Sequence, residues 1–435
     1  MKKILVCGLA RSGQAAARVL MQSGARVTAM DSRNEIIWEY SPEGIEVRLG
    51  VDPLDFVHEF ELVIISPGIT VYAPFVQKAL ELGISVWGET ELAYRLCPCP
   101  MIAITGTNGK TTVTTLVGEI MKLANSKTIV AGNIGIPLSS LVTSLDESSL
   151  VVAEVSSFQL ETISAFRPTI SAILNITEDH LDRHGDMETY IDAKKKIYKN
   201  QRQYDKIVLN YDNSITKSLR PPCEVVYFSK NNKLSEGVWV EDGVIVAKIP
   251  EICERTEIMP LSDTKVLGEN ALAATAIALC GGAGFEQIRK ILLNFTGVAH
   301  RLEFVGEYDD ILFYNDSKAT NTDAAIKALE SFDEPVVLIA GGYDKQADFT
   351  DWVRLFEDRV SYLVLTGQTA QKIAGCCDDI GFTRYEIVNN LRTAVSVARN
   401  FAVKAVLFSP ACASFDDFTS FEERGEFYRQ YIKEG

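Results

Sequence analysis

The chain has 435 residues, of which 47% are hydrophobic and 23% charged. That is ordinary globular composition with room for about three domains, and it excludes wholesale disorder. A formal charge of −15 argues against a general nucleic-acid binder, and no apolar run reaches the roughly 18 residues of a membrane span, so neither nucleic acid nor membrane is expected as a partner.

Met1, Lys2 and Lys3 precede a short apolar run that ends at Arg11; it is too brief for a secretory signal and reads as a first strand, residues 3–7. A helix over 14–23 and strands over 27–30 and 62–66 follow, the pattern of buried parallel strands flanked by helices. Cys97, Pro98, Cys99 and Pro100 break regular structure and read as a linker. Residues 101–105 restart the pattern, and 151–155 and 170–175 are further strands. Residues 221–260 differ, with short β-like runs at 238–240 and 244–247. A helix over 270–280 ends at Gly281 and Gly282, and strands over 336–340, 362–366 and 406–409 make a last α/β unit.

Three consecutive α/β units are therefore expected, over 1–97, 98–296 and 297–435. They carry 9 basic and 12 acidic, 20 and 23, and 14 and 23 side chains. Anions would have to be bound by placed Lys, Arg and backbone amides, not by bulk field. Nine scattered cysteines, an odd number with no CxxC framework, suit free thiols in a reducing cytoplasm.

The strongest local signal is Gly106, Thr107, Asn108, Gly109, Lys110, Thr111 and Thr112, between an apolar strand and a helix-compatible run. Glycines let the backbone wrap phosphates with its N–H groups inward, and the helix N-terminus adds partial positive charge. Lys110 can reach the β/γ-phosphates and Thr111 can ligate Mg²⁺, so ATP or a similar triphosphate is the expected ligand. Ile104 stands where the usual loop has its first Gly.

Gly8, Ala10 and Gly13 form a G-x-A-x-x-G turn after the first strand, and Asp31 ends the second strand where an acid can bond a ribose hydroxyl. Ala10 hinders close approach to a pyrophosphate, so a ligand-free turn, a nucleotide site and an NAD site all stay open. Glu154 ends a buried strand, where it either holds Mg²⁺ or forms an ion pair at the sheet edge. His180, one of four histidines, is either functional or half-buried and structural. Asp186 can cap a helix whose phase sets Tyr190, Lys194, Ile197 and Tyr198 on one face. Lys194 there either snorkels or is desolvated and reactive, while Lys195 and Lys196 point elsewhere.

Together these motifs resemble the Mur ligase family over the whole chain. The resemblance rests on residues 105–111, Gly132 to Gly135, Glu154 to Leu160, Thr177 to Asp182, His300 to Glu303 and Asn315 to Asn321. Gly341–Gly342, Ser409 to Asp416 and Phe421 to Gly425 complete it, and the Asn315 to Thr320 block points to the branch that adds D-glutamate. It implies an α/β fold of three domains: a Rossmann-like N-terminal domain, a central P-loop ATPase domain and a Rossmann-like C-terminal domain. They would bind a UDP-linked substrate, ATP and the amino acid. The implied activity is ATP-dependent addition of D-glutamate to UDP-N-acetylmuramoyl-L-alanine through an acyl phosphate, in cytoplasmic peptidoglycan precursor synthesis, by a monomer.

Carried over by resemblance, Leu9, Arg11, Ser12, Asp31, Ser32, Arg33, Ser66, Gly68, Asn133 and Ser156 would hold the UDP-substrate. Gly106 to Thr112 would hold ATP phosphates, Asn270 the adenine side, and Arg301 and Asp316 would reach the nucleotide from the C-terminal domain, which a hinge near residue 297 would close. Thr111, Glu154, His180 and Lys194 would serve Mg²⁺, with Lys194 carbamylated; Lys110, His180 and Lys194 would be catalytic. Lys318, Thr320, Lys345, Ser414, Phe415 and Phe421 would line the D-glutamate pocket. Two departures stand out: Val266-Leu267 where the family has His-Asn, and Tyr343-Asp344 inside the Gly341-Gly342-x-x-Lys345 run.

Three alternatives explain less. A dehydrogenase leaves Gly106 to Thr111 without a role. A folylpolyglutamate synthetase-like ligase does not need the N-terminal domain. A P-loop switch or transport ATPase explains none of the motifs between 300 and 425.

Overall fold

The computed structural model describes residues 2–38, 43–133, 135–179, 181–264, 266, 268–295, 297–332, 334–344, 347–402 and 404–434, apart from the side chains of Asp182 and Asp323. The chain divides into two compact units, Met1–Phe295 and Thr296–Gly435. Among the described residues the first unit holds two sheets and the second holds one.

The first sheet comprises β1 (Lys3–Cys7), β2 (Arg26–Asp31), β3 (Glu46–Leu49), β4 (Leu62–Ile65) and β5 (Ser85–Gly88), in the order β3-β2-β1-β4-β5, all parallel. β1, β2 and β4 are apolar and buried, as strands covered on both faces must be. The order reverses between β1 and β4, which opens a crevice at the carboxyl ends of those strands. The helix expected over 14–23 spans Arg11–Gln22 and starts directly after the Gly8–Ala10 turn.

The second sheet holds β6 (Met101–Thr105), β7 (Thr128–Gly132), β8 (Leu150–Glu154), β9 (Ile170–Ile173), β10 (Lys206–Asn210), β11 (Glu224–Ser229), β12 (Gly237–Glu241), β13 (Val244–Ile249) and β14 (Cys253–Pro260). Its order is β14-β13-β12-β11-β10-β9-β6-β8-β7, parallel from β7 through β12 and antiparallel at β12-β13-β14. β6 lies between β8 and β9, so the loop after it emerges at the centre of the sheet.

The helix Glu89–Leu96 joins these two sheets through buried carboxylates. Glu91 accepts from the amides of Ser164, Ala165 and Phe166 at 2.9, 2.8 and 3.0 Å, and from Arg95 at 2.7 Å. Each amide stranded by its loss would cost about 1–3 kcal/mol.

The third sheet, in the second unit, holds β15 (Glu303–Tyr308), β16 (Ile311–Asn315), β17 (Val336–Ala340), β18 (Val360–Leu365), β19 (Tyr385–Ile387) and β20 (Ala405–Phe408). Its order is β15-β16-β20-β17-β18-β19, parallel except for the β15-β16 hairpin. Two apolar layers cover its faces, one including Trp352, Phe356 and Phe382 and the other Phe408, Tyr428 and Ile432. Among the described residues no helix is long and apolar enough to cross a membrane.

Candidate active site

The all-buried strand β6 leads into the phosphate loop, and the helix Lys110–Ala124 leaves it. Gly109 sits at φ +79°, a conformation that favours glycine, and a Cβ there would lie 2.5 Å from Asn270 Oδ1, which would have to move. Asn270, in the first turn of the helix Gly268–Cys280, packs on the loop. Asn175 Oδ1 accepts from the amides of Thr107 and Asn108 at 3.1 and 2.8 Å and fixes the loop from β9's end. The Thr107 hydroxyl meets Tyr190 Oη at 3.2 Å. Thr111 is buried.

Two lysines converge on this loop. Lys110 Nζ donates to the carbonyls of Gly106 and Thr107 at 2.9 and 2.8 Å, and Lys194 Nζ donates to Gly106 at 2.8 Å. Lys194 is 1% exposed, in the helix Met187–Lys195 that Asp186 caps through the Thr189 amide. Burial and the neighbouring Lys110 hold its pKa well below the usual lysine range, against an opposing pull from Asp179.

Glu154 ends β8 and is 2% exposed. Its Oε1 accepts from Asn133 Nδ2 at 3.0 Å, while among the described residues Oε2 is buried without a donor. Gly132 brings the Asn133 loop against it: at φ +106°, a Cβ would stand 2.3 Å from Glu154 O. An orphaned carboxylate oxygen beside a phosphate loop fits a hard cation. No group of three or more His, Cys, Asp or Glu that could hold a metal occurs among the described residues. His180 and Lys345 lie outside the described residues, as does Leu267 of the Val266-Leu267 departure.

A cavity of about 250 Å³ is lined by Arg11, Ser12, Pro67, Glu89, Asn133 and Gln159, among others. It thus gathers expected substrate residues from both sheets of the first unit. Asp31 accepts from the Leu9 amide at 2.7 Å and from Arg33 Nε at 2.9 Å, and the Arg33 guanidinium holds its carboxyl well below the usual range. Ser66 donates to Gly8 O at 2.6 Å. Ser32 is exposed, and space beside Gly68 is open. Ser156 caps the helix Ser157–Glu161 in a reciprocal box with Gln159.

In the second unit, Lys318 Nζ lies 3.9 Å from the centre of the Phe421 ring, and its amide donates to His300 O. The Thr320 amide donates to Lys318 O, closing the same turn. Asp316 turns inward: its carboxylate accepts from the Leu302 amide at 3.1 Å and the Ser409 hydroxyl at 2.8 Å, and burial pushes its pKa up to about 6 despite nearby Arg301. Ser414 is buried, Phe415 is exposed, and the Tyr343 ring meets Phe415 edge-on at 6.3 Å. The Tyr343-Asp344 departure thus lies beside Phe415, one residue of the expected amino-acid pocket, and Asp344 pairs with Lys372.

Sequence reasoning missed three side chains. Arg424, 3% exposed, donates to Ser317 O and Oγ, Cys412 O and Ala413 O, binding the Lys318 turn to the Ser414 loop; burial pulls its pKa down to about 10. Arg183 donates to Pro67 O at 2.8 Å and pairs with Glu161. Glu89 lines the 250 Å³ cavity. Their partners are distant in sequence, so no local spacing reveals them; only Arg424's place in the Phe421 to Gly425 motif was a signal.

The three parallel-rich sheets, with a strand–loop–helix phosphate site in the middle one, define a multidomain α/β nucleotide enzyme. Three family models match the chain: the Mur ligase MurD-like N-terminal domain over 2–88, the Mur ligase middle domain over 104–278, and the Mur ligase glutamate ligase domain over 300–412. A protein of Caldanaerobacter subterraneus subsp. tengcongensis named UDP-N-acetylmuramoylalanine--D-glutamate ligase is 44% identical over 99% of this chain and 98% of its own length. One of the same name from Pelotomaculum thermopropionicum is 45% identical over 99% and 97%. Among solved structures, UDP-N-acetylmuramate-alanine ligase MurC from Thermotoga maritima matches with TM-score 0.61 at 19% identity over all of both chains. The MurF ligase of Thermotoga maritima in complex with ADP matches with TM-score 0.58 at 13% identity over 99% and 95%, a likeness of fold alone. The chain belongs to the Mur ligase family.

Proposed function

We propose that the chain is an ATP-dependent ligase that joins the amine of D-glutamate to the alanyl carboxylate of UDP-N-acetylmuramoyl-L-alanine, as a cytoplasmic monomer making peptidoglycan precursors. The reading is carried by full-length similarity at 44% and 45% identity to two ligases of that name. A phosphate loop beside a carboxylate oxygen, buried with no donor among the described residues, supports it. In this reading residues 1–97 hold the UDP-substrate, 98–296 hold ATP and 297–435 hold the amino acid.

A carboxylate is a poor electrophile until one oxygen becomes a leaving group. The alanyl carboxylate oxygen bonds the γ-phosphorus of ATP, the β–γ bridge breaks, and ADP leaves. The amine of D-glutamate attacks the acyl carbon, the C–O bond to phosphate breaks, and phosphate departs with one former carboxylate oxygen; the amine proton goes to an acceptor. Lys110 and the loop amides stabilise charge on the transferring phosphoryl group. Thr111, Glu154, His180 and Lys194 in its carbamylated form would hold magnesium, which would supply further neutralisation of the phosphate oxygens. We read Lys194 as carbamylated: its neutral amine adds to CO₂ and loses a proton, and the resulting anion replaces a cation that Lys110 repels.

The test supplies ATP, Mg²⁺ and substrate labelled with ¹⁸O in the alanyl carboxylate. Label should appear in phosphate only when D-glutamate is also present. Phosphate release that ignores the UDP-muramoyl compound would contradict the reading and favour a switch ATPase.

A further inference from the structure

Glu89 is the first residue of the helix Glu89–Leu96, is 2% exposed, and is the one acidic side chain lining the 250 Å³ cavity among the described residues. Its Oε1 is committed to the Ser139 amide at 2.5 Å. Ser139 follows the Gly132–Pro137 loop that carries Asn133, so this bond pins one cavity wall to the first sheet's helix. Apart from Ser139, no described residue donates to the carboxylate.

A buried carboxylate with an uncommitted oxygen is costly until a donor reaches it. The other polar groups lining the cavity include Arg11, Ser12, Asn133 and Gln159, all able to donate to anionic oxygens. Glu89 offers the opposite chemistry to the same space. It would repel a phosphate, so its complement in a ligand is a hydrogen-bond donor outside the diphosphate.

We infer that Glu89 is a specificity-determining residue that accepts a hydrogen bond from an amide N–H or hydroxyl in the acetamido-sugar–peptide portion of the UDP-linked substrate. The assignment rests on the functional reading above. It divides the cavity's labour: placed donors hold the diphosphate, and Glu89 checks what the diphosphate carries.

The test titrates two probes, UDP and UDP-N-acetylmuramoyl-L-alanine, into the full chain by calorimetry. Glu89→Gln keeps an oxygen for the Ser139 amide and turns the free acceptor into a donor. It should weaken the complete compound about 10-fold or more and leave UDP within about twofold. ATP binding by the same sample reports that the variant is folded. Glu89→Asp, which keeps the charge, should recover part of the lost affinity. A Gln variant that binds both probes as wild type does, or loses both in equal proportion, reduces Glu89 to a structural tie and overturns the assignment. Wild-type chain that binds neither probe overturns the functional reading itself, and this assignment with it.

Discussion

Lys110 and Lys194 donate to one acceptor, the carbonyl oxygen of Gly106, at 2.9 and 2.8 Å. Two ammonium groups on one oxygen repel, and Lys194 is the buried member. The arrangement is relieved when Lys194 is neutral or converted to an anion; burial first, and Lys110 second, depress its pKa.

Lys194→Met should be more thermostable near neutral pH than wild type kept free of CO₂, in which Lys194 is an unmodified amine, yet inactive. The folded pKa of Lys194 lies below its unfolded value of about 10.4. Wild type therefore has its full relative stability only above that pH and loses it as pH falls toward the folded pKa. The melting-temperature advantage of the Met variant should shrink as pH rises toward about 10. An advantage independent of pH would contradict a depressed pKa. Under the carbamate reading, wild-type turnover should also rise with bicarbonate.

Glu154→Gln keeps the oxygen that meets Asn133 and removes the negative charge. Turnover should fall about 100-fold or more, while ATP binding without magnesium stays near wild type. Equal turnover across magnesium titrations of both proteins would remove Glu154 from the metal site.

The sequence made several interior strands readable, but not β10, β11 or β16, and the edges were hard to see. β1, β6 and β17 match their expected ranges because a strand buried on both faces is a plain apolar run. β3, with Glu46 and Arg48, and β14, with Cys253 to Glu257, escaped because edge strands carry charge toward solvent. Tyr190, Lys194, Ile197 and Tyr198 share a face by helical phase, and all four are buried. Glu89 and Glu91 look in sequence like ordinary first-turn acids; only Ser139 and the 164–166 amides give them meaning.

Asp316 has a folded pKa of about 6, above the ordinary 3.8. Its contribution to stability is full below the lower value and lost as pH rises through about 6. Asp316→Asn stays neutral, so it should gain on wild type between about pH 4 and about pH 7, by up to about 3 kcal/mol. Calorimetric unfolding of both chains across that range checks it; a constant difference would contradict it.

Arg424 gathers three carbonyls and a hydroxyl that one ammonium cannot span. Arg424→Lys should destabilise the second unit by about 3 kcal/mol. It should also raise KM for D-glutamate about 10-fold with little change in KM for ATP, measured by steady-state ADP release. Unchanged values would mean the Ser414 and Lys318 turns hold their places without it.

The most direct test of the central claim is incorporation of radiolabelled glutamate into a UDP-linked product, with ATP, Mg²⁺ and UDP-N-acetylmuramoyl-L-alanine supplied. One label per ADP from D-glutamate, and none from L-glutamate or from reactions lacking ATP, is the predicted result. ADP release without incorporation, or incorporation of another amino acid in its place, would contradict it.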